Sequence, residues 1–118
     1  MYDVFPNELS LWQKRGALLL DVRSPEEYAS GHIPGSLNLP LEQLLDALDT
    51  LRSPIVTICA TGGRAGLAAE VLEYEGLEVG KLVSGIQGYA ALGYTLERSW
   101  GKRPAVEAAF RPEEAPCS

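Results

Sequence analysis

The chain has 118 residues, 46% of them apolar, and a formal net charge of −6, which fits one domain burying roughly two-thirds of its unfolded surface around a single core. Its basic residues are scattered rather than gathered into a stripe, which argues against a nucleic-acid partner. No apolar run approaches the roughly 20 residues of a membrane helix, and Met1 to Pro6 carries neither the basic stretch nor the apolar segment of a leader, so a cytosolic protein without membrane association is expected.

In chain order, Tyr2 to Phe5 reads as a short edge strand and Asn7 to Arg15 as a helix. The apolar run Ala17 to Val22 then reads as a buried strand. Ser24 before Pro25, with Glu27 three residues on, is a helix-start signature for Pro25 to Ala29. Ser36 to Leu39 predicts a short strand, and Leu41 to Leu51 predicts a helix. Ile55 to Cys59 is β-branched and bounded by Pro54 and glycines, as expected of a buried central strand. Arg64 to Tyr74 follows as a helix, with Leu67, Ala68, Val71 and Leu72 at helical spacing and Gly76 as its stop. Glu78 to Val83 is a fifth strand. The alternation predicts an α/β domain with a mostly parallel sheet of about five strands, helices covering both faces. The domain is read over residues 1–96. Residues 97–118 form a C-terminal extension in which Val106 to Phe110 could dock as a short helix, anchored by Trp100 or Phe110, before a polar tail.

Cys59-Ala60-Thr61-Gly62-Gly63-Arg64-Ala65 carries the chemical signal. A buried strand delivers a cysteine to its carboxyl end, a glycine-rich turn follows, and a helix begins at once; ligands of open α/β sheets bind at that edge. Glycines let successive N–H groups curl inward, and the helix adds its positive N-terminal end, so an anion is stabilised there. A cysteine at the centre of such a ring is favoured as a thiolate nucleophile. Arg64 supplies a cation able to hold an oxyanion through two parallel hydrogen bonds. The competing structural reading takes Cys59 as a buried strand-end residue and the glycines as a turn; the full order of strand, cysteine, glycines, arginine and helix favours the catalytic one. A dinucleotide fingerprint matches poorly, since Thr61 stands where its first glycine belongs and the next strand ends without an acidic residue.

Asp21, at a strand end, reads as a structural carboxylate with Arg23 as its partner, because a buried charge requires one. His32 reads as a hydrogen-bonded structural residue, since a thiolate needs no general base. Cys117 reads as a solvated terminal cysteine, because its neighbours Glu113 and Glu114 do not favour a thiolate. With two cysteines and one histidine, an ordinary zinc site lacks ligands, and neither a metal nor another cofactor is expected.

These segments together resemble the rhodanese-like sulfurtransferase family. Leu19 to Tyr28 is similar to its first signature, Gly31-His32-Ile33-Pro34-Gly35-Ser36-Leu37-Asn38-Leu39-Pro40 to its second, Cys59 to Arg64 to its active-site loop, and Leu82 to Tyr89 to its last. The resemblance implies that Cys59 attacks the outer sulfur of a donor such as thiosulfate, becomes a persulfide, and passes sulfur to cyanide, a thiol or a protein acceptor. It implies that backbone N–H groups of Ala60, Thr61, Gly62, Gly63, Arg64 and Ala65 hold the charged sulfur. Four residues separate Cys59 from Arg64, whereas phosphatases of this fold have five. That favours sulfur over phosphate, and over an arsenate-reductase-like reaction, and no aspartate in the loop stands ready as a general acid. Two positions depart from the family: Ala65 replaces a residue that often bears a hydroxyl, for which Thr61 could substitute, and Tyr89 replaces a tryptophan. A non-enzymatic persulfide carrier or protein-binding module on the same fold is the alternative.

Overall fold

The computed structural model describes residues 1–98. The expectations for Trp100, for Val106 to Phe110 and for Cys117 lie outside the described residues. Five strands, β1 (Tyr2–Val4), β2 (Leu18–Asp21), β3 (Leu37–Asn38), β4 (Ile55–Ile58) and β5 (Val79–Leu82), form one sheet in the order β1-β5-β4-β2-β3. Every neighbouring pair is parallel, so all five carboxyl ends lie along one edge. The helices are α1 (Leu9–Lys14), α2 (Pro25–Ser30), α3 (Leu44–Ala47), α4 (Gly63–Tyr74) and α5 (Gly85–Ala91). None is long and apolar enough to cross a membrane.

Successive strand side chains point to opposite faces, so a strand apolar at every position feeds two cores. On one face Leu20, Ile55 and Val79 pack with Leu44 of α3 and with Ala65, Ala68, Ala69 and Leu72 of α4. On the other, Leu19, Val56, Ile58 and Leu82 pack with Leu9 of α1 and Ile86 of α5. Each fully buried large aliphatic contributes about 1.5–3 kcal/mol. The alanines of α4 let that helix lie close on β4, and the buried Thr57 hydroxyl donates to the Ala65 carbonyl at 2.9 Å, tying strand to helix. Gly76, at φ +87°, ends α4 as expected, with Leu77 N–H donating to Leu72 O and Gly76 N–H to Glu73 O, the pairing that satisfies last-turn carbonyls.

Two segments differ from the sequence expectation. Leu41 to Leu51 is not one helix: a 3-10 turn over Leu41–Gln43, the four residues of α3, and a second 3-10 turn over Leu48–Thr50 replace it. Side-chain competition tightens its end, because Thr50 Oγ1 donates to the Ala47 carbonyl and Arg52 to that of Asp49, three residues back in each case. The unanticipated element is α5. Its seven residues, Gly-Ile-Gln-Gly-Tyr-Ala-Ala, have a composition poor in helix propensity, and tertiary packing of Ile86 and Tyr89 holds it in place.

Candidate active site

Cys59 follows β4 directly and is 1% exposed, packed from behind by the first core. Gly62, at φ +121°, takes a conformation that favours glycine and turns its N–H back onto Cys59 Sγ at 2.9 Å. The helix α4 starts one residue later, and N–H groups of its first turn have no intrahelical acceptor. The sulfur therefore sits at the base of a turn of backbone donors that continues into a helix N-terminus, the arrangement that stabilises an anion. Thr61 is exposed, and the donor on Sγ is the Gly62 amide rather than the Thr61 hydroxyl.

The loop is braced from beneath by α5. Ile86 N–H donates to the Cys59 carbonyl at 2.8 Å and Gln87 N–H to the Ala60 carbonyl at 3.0 Å. Ser84 and Gly85 both take positive φ, 65° and 57°, to make that approach. A Cβ on Gly85 would stand 2.3 Å from the Cys59 carbonyl oxygen, so only glycine fits there. The sequence signal for this contact is the Ser84-Gly85 pair directly after a strand, where positive φ at both residues launches α5.

Arg64 is placed at the loop's end as expected, but its guanidinium fork is occupied. Its Nη1 and Nη2 donate to Glu27 Oε1 and Oε2 at 2.8 and 3.0 Å. Glu27 also caps α2: its Oε1 accepts from Ser24 N–H at 2.9 Å, while its own N–H donates to Ser24 Oγ. The Arg64 hydrogen bonds above all, helped by Ser24 and opposed by partial burial, hold the Glu27 carboxyl at about 2. Glu27 in turn raises Arg64 above its ordinary value, with smaller contributions from Cys59 and Asp21. Sequence reasoning assigned Glu27 to the helix cap alone. The missed signal is that α2 and the cysteine loop leave the same sheet edge, which puts a carboxylate on the third residue of α2 within reach of Arg64.

Asp21 and Arg23 form a buried pair at the end of β2. Asp21 Oδ1 accepts from Arg23 N–H and Nε at 3.1 and 3.0 Å, and Oδ2 from Nη2 at 2.8 Å. Nη2 also donates to the Gly31 carbonyl, and Asn38 Nδ2 donates to the carbonyls of Asp21 and Arg23, so one cluster joins β2, β3 and the end of α2. His32 lies beyond it. Its ring stacks on Tyr28 at 3.9 Å, Nδ1 donates to the Tyr28 carbonyl, and its backbone forms an antiparallel bridge with Glu97, the first residue assigned to the extension. The hydrogen bonds of His32 run to this framework rather than to the cysteine loop. Ala65 is fully buried under the loop. Tyr89 packs in the second core and stacks on Tyr94 at 4.7 Å; burial first, and Tyr94 second, push its phenol above the ordinary value of 10. Among the described residues, no group of three or more His, Cys, Asp or Glu side chains could hold a metal ion.

The Rhodanese-like domain profile matches residues 5–92. The chain belongs to the rhodanese-like family. Among curated relatives, the thiosulfate sulfurtransferase GlpE of Pseudomonas syringae is 33% identical over 73 residues, covering 60% of this chain and 69% of that protein. The uncharacterized protein YqhL of Bacillus subtilis is 41% identical over 64 residues, covering 52% of this chain and 51% of that one, so the match spans only about half of that relative. Among solved structures, a rhodanese-related protein of Thermoplasma volcanium superposes with a TM-score of 0.75 at 29% identity, covering 82% of this chain and 98% of that one. The parallel five-stranded sheet is thus that of rhodanese-like proteins.

Proposed function

We propose that this rhodanese-like protein is a sulfurtransferase that carries sulfane sulfur as a persulfide on Cys59. The observation that carries the reading is the Gly62 N–H on Cys59 Sγ at 2.9 Å, in a loop that runs straight into α4. Such donors stabilise a thiolate before reaction and a terminal sulfur anion after it. With thiosulfate, the Cys59 thiolate attacks the outer sulfur, the S–S bond to Cys59 forms as the bond to the sulfite sulfur breaks, and sulfite leaves with that bonding pair. The terminal persulfide sulfur then passes to a nucleophilic acceptor, cyanide or a thiol, which restores the thiolate. Residues 60 to 65 supply the surrounding amides, and the Asp21–Arg23 cluster, with His32 beyond it, supplies the framework.

The four-residue spacing from Cys59 to Arg64 supports sulfur transfer over phosphate hydrolysis. The test is intact-mass measurement after thiosulfate treatment of wild type and Cys59→Ser. Wild type is expected to gain one sulfur atom and the variant none; a wild type that gains none from either thiosulfate or an organic persulfide overturns the reading. Steady-state transfer from thiosulfate to cyanide separates an enzyme from a carrier, since a carrier loads without turning over.

A further inference from the structure

Among the described residues, the cations Arg64, Arg23 and Lys81 around the cysteine loop are each paired with a carboxylate. Arg64 is held in a two-point fork by Glu27, at 2.8 and 3.0 Å. Arg23 is buried against Asp21. Lys81 runs beneath the start of α4, its Cδ 3.7 Å from where a Gly66 Cβ would stand, and its Nζ lies 3.9 Å from Asp3. A free fork at Arg64 would match a sulfonate or sulfate-like group; here two of its donors are turned to Glu27 and its charge is compensated there. The Glu27 carboxylate is itself fixed by Ser24 through the α2 cap, so the fork is bound on a rigid mount.

We propose that Glu27 is a specificity-determining positioning residue: by holding Arg64 it withdraws the loop's cation from the bowl and turns Cys59 toward sulfur donors of low charge, organic persulfides, and away from sulfur oxyanions such as thiosulfate. The inference rests on the sulfurtransferase reading. In the favoured step, the Cys59 thiolate attacks the terminal sulfur of an alkyl persulfide R–S–SH. The new S–S bond forms as the old one breaks, and R–S⁻ leaves with the bonding pair. Backbone amides suffice to hold the single sulfur charge, whereas the thiosulfate dianion brings oxygen charge that meets no free cation in the loop.

The test is single-turnover loading of Cys59, followed by intact mass, with thiosulfate and with the persulfide of 2-mercaptoethanol, in wild type, Glu27→Gln, Arg64→Ala and the double variant. Glutamine keeps the volume and an acceptor for the cap while removing the charge. Restoring one unpaired cation near a dianion is expected to raise the loading efficiency with thiosulfate roughly tenfold, and to steepen its salt dependence. The persulfide rate should change by less than about twofold, and the effect should vanish in the Arg64→Ala background. A merely structural role for Glu27 would lower both donors together. Loading of wild type by either donor with an unchanged donor ratio in Glu27→Gln overturns the inference alone. No loading by either donor overturns the sulfurtransferase reading with it.

Discussion

Asp21 has no solvent exposure and Arg23 is 5% exposed, so each charge depends on the other. The carboxylate accepts from the guanidinium and from the Arg23 amide, and the guanidinium reaches on to Gly31. Removing one member of such a pair leaves a buried charge without compensation, which costs about 3–5 kcal/mol. Asp21→Asn, nearly isosteric, is therefore expected to lose about 3 kcal/mol in urea unfolding. The same substitution at exposed Asp49 should change stability by less than about 0.5 kcal/mol. Because the Asp21 cluster also sets where β2 releases the chain into α2, the damage should extend to the position of Glu27.

At the scale of elements, the site is a meeting of three helix starts at one sheet edge. The loop before α4 presents the sulfur, α5 holds the Cys59 and Ala60 carbonyls, and α2 clamps Arg64. The clamp has a pH signature. The folded-state pKa of Glu27 is lowered from 4.5 to about 2, so its contribution to stability is fully present above about 4.5 and is lost as pH falls toward 2. Both side chains are more than a third exposed, 40% for Arg64 and 38% for Glu27, so solvent screening reduces the pair to roughly 1 kcal/mol or less. The stability difference between wild type and Glu27→Gln is expected to be largest near pH 6 and to shrink steadily between pH 4.5 and 2.5. Unfolding curves across that range measure it, and a difference independent of pH would assign the effect to packing.

At the scale of the molecule, one sheet carries two cores. Adjacent residues of β2 illustrate the arrangement: Leu19 enters the core beneath α1 and α5, Leu20 the core beneath α3 and α4. Neither core can separate without breaking the other's strands, so unfolding should be cooperative. Leu19→Ala and Leu20→Ala are each expected to cost about 2–5 kcal/mol. Both should shift far-UV circular dichroism and protection of Cys59 from a thiol reagent along one common denaturant curve. Separate transitions would mean that the two faces unfold independently.

The elements most legible in the sequence were those whose local pattern and tertiary environment agree. Ile55–Ile58 is β-branched, and it is the central strand buried on both faces; Gly76 ends α4 because its backbone needs a positive φ. The cysteine loop was legible for the same reason, since strand, glycine turn and helix are consecutive in the chain, and the hydrogen bond from Gly62 to Sγ spans only three residues. The α5 brace and the Arg64–Glu27 fork were not. Their partners lie far apart in sequence, Glu27 from Arg64 by 37 residues, and side chains that distant meet only after parallel crossovers have stacked the strand ends along one edge. By itself, then, the amino-acid order determined the strands, most of the helices, the placing of Cys59 at a strand end before a glycine turn, and the family resemblance, because each rests on contacts between near neighbours or on a period of two or 3.6. The tertiary structure alone decided that the loop is held by α5 and that its arginine is already paired, because charge compensation depends on which groups the completed fold brings within hydrogen-bonding distance.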